Sequence, residues 1–379
     1  MSKSRRFHPP TWISGLVLLG AIALAARYER KDPKEPEKAD RPFGAAISTD
    51  EPLTLQCRRA LQRGRGRRAA VPTEIPALGW KDILWRVYDQ IWEDRLLAVA
   101  AGVAFYALLA IFPAITALVS LYGLFAKAAT IGDHLSFIAG VLPSGGYDII
   151  AIEIIRIAEK SDGKLSLTFL FGLGIALWSA NAGMKALIDA LNIIYEENEK
   201  RSFVRLNLLS LGLTFGTIVF LLLAVGTVVV FPLAMNWLGY ASLTERVIAV
   251  LRWPALLVVV ILGLGVLYRV GPSRRDAKWR WLTSGSVFAA FAWLAGSALF
   301  SWYLANFADY SATYGALGAA IGLMVWLWLT AIAVLVGAEL NAEMEHQTAQ
   351  DTTTGAPKPL GARGAAMADT VGEAKAEHG

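Results

Sequence analysis

The residues best placed to do chemistry in this 379-residue chain are polar groups at helical spacing near the ends of long apolar stretches. In LWSANAGMKALIDALNIIYEENEKRSF, Trp178, Asn181, Lys185, Asp189 and Asn192 follow one another at intervals of 3, 4, 4 and 3, which puts them on one helix face. Lys185 and Asp189 are placed to pair. Polar groups in an apolar helix turn to protein or water, because exposing them to lipid is costly. The face therefore reads as the wall of a polar cavity. The plainer reading is a helix emerging into water, with the lysine stem lying along its apolar surface. Glu339 follows a long apolar run, and Glu343 lies one turn further on. Glu339 is the candidate buried carboxylate, carrying a proton or pairing with a loop arginine; structural anchoring is an equal alternative. Asn181, Lys185 and Glu339 are expected to share one hydrated cavity. Tyr303, Asn306, Phe307, Tyr310 and Tyr314 also recur at helix spacing. They form either an aromatic and amide wall at the outer mouth or an interfacial aromatic belt.

Other chemistry lacks its residues. The four histidines, His8, His134, His346 and His378, are scattered over tails and one loop, and no HExxH occurs. There is no phosphate-binding GxxxxGK[ST] and no GxSxG nucleophile elbow. Cys57 is the only cysteine, which excludes an intrachain disulfide and a cysteine zinc cluster. The sequence therefore predicts no catalytic residues, no metal and no cofactor, and a protein that is not an enzyme.

The elements that must position these residues are membrane spans. The chain is 55% hydrophobic and only 18% charged, with a mean hydropathy of +0.46. A soluble domain carries about 25% charge. Apolar stretches fall at about 96–125, 165–187, 206–235, 248–269, 281–304 and 315–340. Each is long enough to cross a bilayer, which takes about 20 residues. The expected fold is all-α, a polytopic helical transmembrane bundle of six core spans. Pro113 and Pro254 lie inside spans and should kink them. Gly315, Gly318 and Gly322 permit close packing of the last span. Ahead of the first span, WKDILWRVYDQIWED (80–94) sets Trp80, Ile83, Leu84, Val87, Tyr88, Ile91 and Trp92 against a charged face. It reads as an amphipathic helix lying along the membrane surface. Residues 126–164 read as a loop with two short amphipathic helices around Pro143-Ser144-Gly145-Gly146.

Four segments follow: 1–26, a possible N-terminal membrane anchor; 27–79, a disordered basic linker; 80–345, the transmembrane domain; 346–379, a disordered tail. The short apolar run at 12–26 fits a cleaved signal peptide, an uncleaved anchor or an interfacial segment. Loop charges favour the uncleaved anchor. Arg269, Arg274, Arg275, Lys278 and Arg280 fill one loop, and Lys200, Arg201 and Arg205 another. In 305–314 there is no Lys or Arg, and in 236–247 only Arg246. Positive loops stay inside, so the basic linker, these two loops and the C-terminus are expected in the cytoplasm. The net charge of +5 then marks cytoplasmic loops rather than a nucleic-acid partner. The expected partners are membrane lipids, with anionic headgroups attracted to Arg58, Arg59, Arg63, Arg65, Arg67 and Arg68.

The segments LAVAAGVAFYALLAIFPAITALVSLYG (97–123), LWSANAGMKALIDALNIIYEENEKRSF (177–203), LYRVGPSRRDAKWRW (267–281) and SWYLANFADYSATYGALGAAIGLMVWLWLTAIAVLVGAELNAE (301–343) resemble the YihY/BrkB family of bacterial inner-membrane proteins. The resemblance covers roughly 80–345. Val270-Gly271-Pro272 departs slightly from the family's Leu-Pro pair at that point. The resemblance implies a six-helix inner-membrane core with both ends cytoplasmic and a loose tie to envelope integrity. The ribonuclease name carried by some members finds no metal-ligand cluster here. Two functions fit: a passive or ion-coupled conduit for a lipid or other envelope component, and a non-transporting envelope scaffold.

Overall fold

The structure, a computed structural model, describes residues 53–125, 165–225, 243–307 and 316–375. All belong to one unit, Gly44–Gly379. The helices, in chain order, are α1 (Leu53–Ala60), α2 (Ala77–Glu93), α3 (Leu96–Phe125), α4 (Leu165–Ile194), α5 (Phe203–Val225), α6 (Leu243–Val270), α7 (Trp279–Phe307), α8 (Ala316–Gln347) and the single turn α9 (Ala366–Asp369). A 3-10 turn, Pro72–Glu74, precedes α2. No strand occurs among the described residues; one isolated bridge joins Ala277 to Thr353.

Six long helices, α3 to α8, stand over the six apolar stretches. In hydrocarbon every backbone N–H and C=O needs an internal partner, and a helix supplies them all. Phe203–Phe220, Trp253–Val270, Trp279–Asn306 and Ala320–Gln347 are each long and apolar enough to cross a membrane. A fifth candidate is the pair α2 and α3, bent by 63° at Asp94 and Arg95. The chain is thus a polytopic all-α membrane protein. The N-terminal anchor and the helices expected within 126–164 lie outside the described residues. Helix α6 continues through Pro254 and α3 through position 113.

The six helices pack in an order different from their order in the chain. Helices α3 and α4 form one tight pair, α7 and α8 another, and α8 joins the pairs by lying on α3. Helix α5 packs chiefly on α4, and α6 chiefly on α7. The result is an arc, α5–α4–α3–α8–α7–α6. Its two ends share no extended packing among the described residues. The core fills with Leu96, Ala100, Leu191, Tyr268, Leu335 and Ala338. The tightest backbone approach is between α7 and α8. A Cβ on Gly337 would lie 2.6 Å from the Ala289 Cβ and 2.7 Å from the Gly285 carbonyl oxygen. At Gly322, where the sequence pattern predicts close packing, a Cβ would meet nothing within 4 Å.

Two segments expected to be disordered are folded where they are described. Residues 53–75 and 348–375 lock onto each other and onto the end of α8. Arg67 donates to the carbonyls of Gln347 (3.1 Å) and Gly372 (2.7 Å). Arg59 reaches Glu373 at 2.6 Å. The guanidinium of Arg363 holds the carbonyls of Ala349, Gln350 and Ala368. The composition argument for disorder treats charge as solvated. Here the arginines are consumed by backbone carbonyls, and the apolar residues Ala365, Met367, Ala368 and Val371 are almost wholly buried. For the same reason α8 runs past the expected end at 340. Asn341, Glu343, Glu345 and Gln347 all find partners.

Helix α2 buries Gly79, Asp82, Ile83, Arg86 and Val87. Its charged face is therefore partly inside, and Leu84, Tyr88 and Trp92 are more than half exposed. The aromatic face is outward, as a helix at the membrane interface requires.

Candidate functional site

The polar groups gather at one end of the bundle, where α8 and α4 run out of their apolar stretches. They form three settings.

The first lies between α4 and α5. Lys185 donates to Asn207 Oδ1 at 2.6 Å and stands 5.9 Å from the centroid of the Phe203 ring. Asn207 in turn donates to the Phe203 carbonyl. Asn181 is buried, and its Oδ1 has no partner among the described residues. Asn192 is buried too; it accepts from the Ser273 N–H at 2.7 Å and donates to Glu199. Asp189 is exposed, and Trp178 is 76% exposed. The face read from the sequence is thus divided. Asn181, Lys185 and Asn192 have turned inward, whereas Trp178 and Asp189 point away.

The second setting surrounds Glu339. Its side chain is wholly buried, and neither carboxylate oxygen has a hydrogen-bond partner among the described residues. Its acidic neighbours are Asp94 at the α2–α3 turn, Glu343 one turn on, and Glu196 just beyond α4. Arg95 and Glu196 both adopt left-handed backbone, with φ of 51° and 52°. Non-glycine residues in that region store strain and persist where surroundings over-determine them. Lys185 bonds to Asn207 of α5, and no described hydrogen bond joins it to Glu339.

The third setting is a charged cap. Arg86 pairs with Glu343 and also donates to Gln347 (2.8 Å) and the Glu373 carbonyl (2.8 Å). Arg274 grips Glu345 with two bonds of 2.9 Å, with both side chains fully buried. The guanidinium stacks 4.0 Å above the Tyr195 ring. Burial disfavours the Arg274 charge, yet Glu345 holds its pKa above the usual arginine value. Arg67, buried beside Arg86, is lowered to about 10, chiefly by burial. Burial also pushes the Tyr195 phenol upward. Arg201 donates to the carbonyls of Gly271 (2.9 Å), Val270 (3.0 Å) and Pro272. It thereby ties the start of α5 to the end of α6.

At the other end of the bundle, Asn306 caps back onto the Trp302 carbonyl at 2.8 Å, and Tyr303 is 43% exposed. Tyr310 and Tyr314 lie outside the described residues. Of the basic tract, Arg59, Arg65 and Arg67 are engaged inside the chain, and Arg58, Arg63 and Arg68 are exposed. An open hollow of about 710 Å³ lies along α2, lined by Trp80, Leu84, Trp85 and Tyr88 with Lys81 and Lys375 at its edges. No group of three His, Cys, Asp or Glu among the described residues could hold a metal ion.

The partners missed from sequence were Asn207, Arg86, Glu345 and the α1 and tail residues. A signal existed for some. Glu343, Glu345 and Gln347 continue an apolar helix with polar side chains on more than one face. A helix polar all round needs partners on every side.

This arrangement defines an integral membrane protein with a folded polar cap at one end. The sequence profile of the Virulence factor BrkB family matches residues 87–360, and the chain belongs to that family. It is 34% identical over 248 residues to the putative ribonuclease-like protein YfkH of Bacillus subtilis, covering 64% of this chain and 88% of that one. It is 28% identical over 265 residues to a UPF0761 membrane protein of Neisseria meningitidis serogroup B, covering 69% of this chain and 63% of that one. A UPF0761 membrane protein of Cronobacter sakazakii is 28% identical over 276 residues, covering 71% of this chain and 89% of that one. No solved structure matches.

Proposed function

We propose that this protein is a non-enzymatic conduit of the bacterial inner membrane, admitting a lipid or lipid-linked envelope component from the side, with the capped end in the cytoplasm. One observation carries the reading. The helix arc is pinned at its ends by Arg201 at the cap, yet α5 and α6 share no extended packing beyond it among the described residues. Two helices tied at the cap, with no extended packing between them among the described residues, suit a lateral path for an acyl chain, with Lys185 and Asn207 near its capped end for a headgroup. The α2 hollow and the exposed Arg58, Arg63 and Arg68 suit anionic headgroups at the adjoining surface. The second reading, a scaffold without transport, is favoured by the solid packing of α3, α4, α7 and α8.

Native mass spectrometry of the protein released from its own lipid tests the choice. The conduit retains a phospholipid of defined class. Lys185→Gln, which keeps a partner for Asn207, weakens retention about tenfold, equivalent to about 1.4 kcal/mol. A protein that releases with no bound lipid, or whose Lys185→Gln variant holds lipid equally well, is a scaffold.

A further inference from the structure

We propose that Glu339 is a proton-binding carboxyl, neutral in this fold and exchanging its proton with the capped side of the protein through Asp94 and Glu196.

Glu339 is 0% exposed, and both its oxygens lack a hydrogen-bond donor among the described residues. An ionised carboxylate taken out of water needs a cation or several donors, and otherwise it takes up a proton. The titratable groups around it come from three places. Asp94 belongs to the α2–α3 turn, Glu196 and Tyr195 to the end of α4, and Glu343 to α8 itself. On the α6 side the polar group is the Tyr268 hydroxyl, which donates to the Val334 carbonyl at 2.7 Å. On α7 it is backbone, held by Asn341 through the Gly285 N–H and the Leu282 carbonyl. The cationic and imidazole groups described nearby are committed elsewhere: Arg86 to Glu343 and Gln347, Arg274 to Glu345, and His346, on α8 itself, to Glu343 at 3.7 Å. Arg95, at the same turn as Asp94, is exposed. Glu339 is therefore the carboxyl left over when the charged cap has been paired.

Asp94 is half-buried and Glu196, which accepts from Gln90 at 3.2 Å, is 9% exposed, so both acids have more contact with solvent than Glu339 has and are the groups we assign to relay its proton. In the transfer, the Glu339 O–H bond breaks, the proton joins a carboxylate oxygen of Asp94 or Glu196, and Glu339 is left negative. That charge would stand among three acids, so it drives either reprotonation or separation of the elements bearing them. Two of those elements turn at strained residues, Arg95 and Glu196. This inference does not depend on the conduit reading, since a proton can be bound whether or not a substrate moves.

Infrared difference spectroscopy of the full chain in lipid nanodiscs, titrated across the neutral range, provides the test. The wild type shows the C=O stretch of a protonated buried carboxyl, and Glu339→Gln loses it. Because Gln resembles the neutral acid, that variant folds with undiminished thermal stability. Asp94→Asn removes a neighbouring negative charge, so the band disappears at lower pH than in the wild type. Glu339→Asp guards against a folding failure in the first variant: it keeps a carboxyl band at altered pH. Identical wild-type and Glu339→Gln spectra overturn the proposal. So does a band that emerges only when sodium is withdrawn, which would make this an alkali-cation site.

Discussion

At the scale of single residues, two ion pairs of the cap, Arg86–Glu343 and Arg274–Glu345, are almost wholly out of solvent, and their chemistry sets what mutation does. The side chains of Arg274 and Glu345 are fully buried, and Tyr195 closes one face of the guanidinium. Removing one partner of such a pair leaves the other charged and buried, which costs about 3–5 kcal/mol. Arg274→Met should therefore lower the thermal unfolding midpoint sharply in detergent, as read by fluorescence-detected size exclusion. The double change Arg274→Met with Glu345→Leu should recover much of the loss, since neither charge remains to be solvated. Recovery failing in the double variant would assign the cost to lost packing against Tyr195 instead. Legibility at this scale was uneven. Glu339 could be picked out as buried, because a carboxyl one turn short of a polar run is still inside the apolar stretch. That Lys185 reaches Asn207 rather than Asp189 could not be read. The pairing depends on how α5 leans on α4, and periodicity along one helix carries no information about its neighbour.

At the scale of elements, helix existence and extent followed from apolar length, and helix order did not. Stretches of hydrocarbon length must be helical whatever their neighbours, so α3 to α8 were legible. The pairing of α3 with α4, and of α7 with α8, is set by where small side chains let backbones approach. Of the GxxxG pair, Gly318 is buried and Gly322 has open space around it. The close contact lies at Gly337, where the facing residues are Gly285 and Ala289. Helix contacts of this kind tolerate no added volume. Gly337→Val should destabilise the pair by about 1–3 kcal/mol, the cost typical of overpacking. Gly322→Ala, with open space around it, should be neutral or slightly stabilising, since glycine inside a helix costs about 0.5–1 kcal/mol relative to alanine. Parallel thermal melts of the two variants decide this; equal losses would mean that the α7–α8 approach is not where the helices bind. The amphipathic helix α2 was legible as a helix. Its buried Arg86 and Asp82 were not, because Arg86 is answered by Glu343, 257 positions away, and Asp82 by Arg65 of the linker and by the Lys375 N–H, 293 positions away.

At the scale of the whole molecule, charge counting along loops and contacts in space point the same way. Lys200 N–H donates to Ser273 Oγ, Ala366 N–H to Glu197, and Lys278 N–H to the Thr352 carbonyl. The loop after α4, the loop after α6 and the C-terminal tail therefore share one side of the bundle. The excess of Lys and Arg on two of them argues that this side is cytoplasmic. Reporter fusions at Asn198 and Asp276 should report the cytoplasm, and a fusion at Asp309 the periplasm. The reverse pattern would invert the protein and place the Glu339 carboxyl at the outer end of the bundle. The tail and linker were misjudged at this scale because each looks solvated alone. Their arginines and their carbonyl acceptors are separated by most of the chain.

That separation has a consequence for biogenesis. Arg59 and Arg67, near the start, are satisfied by Val371, Gly372 and Glu373, near the end. During synthesis every spanning helix can enter the bilayer before those acceptors leave the ribosome. A nascent chain thus passes through a stage in which these spans are inserted while Arg59 and Arg67 still lack their acceptors at 371–373, and emergence of that segment lets the lock close. A chain that stops short of residue 371 would remain in that stage, inserted but without the contacts that join its two ends.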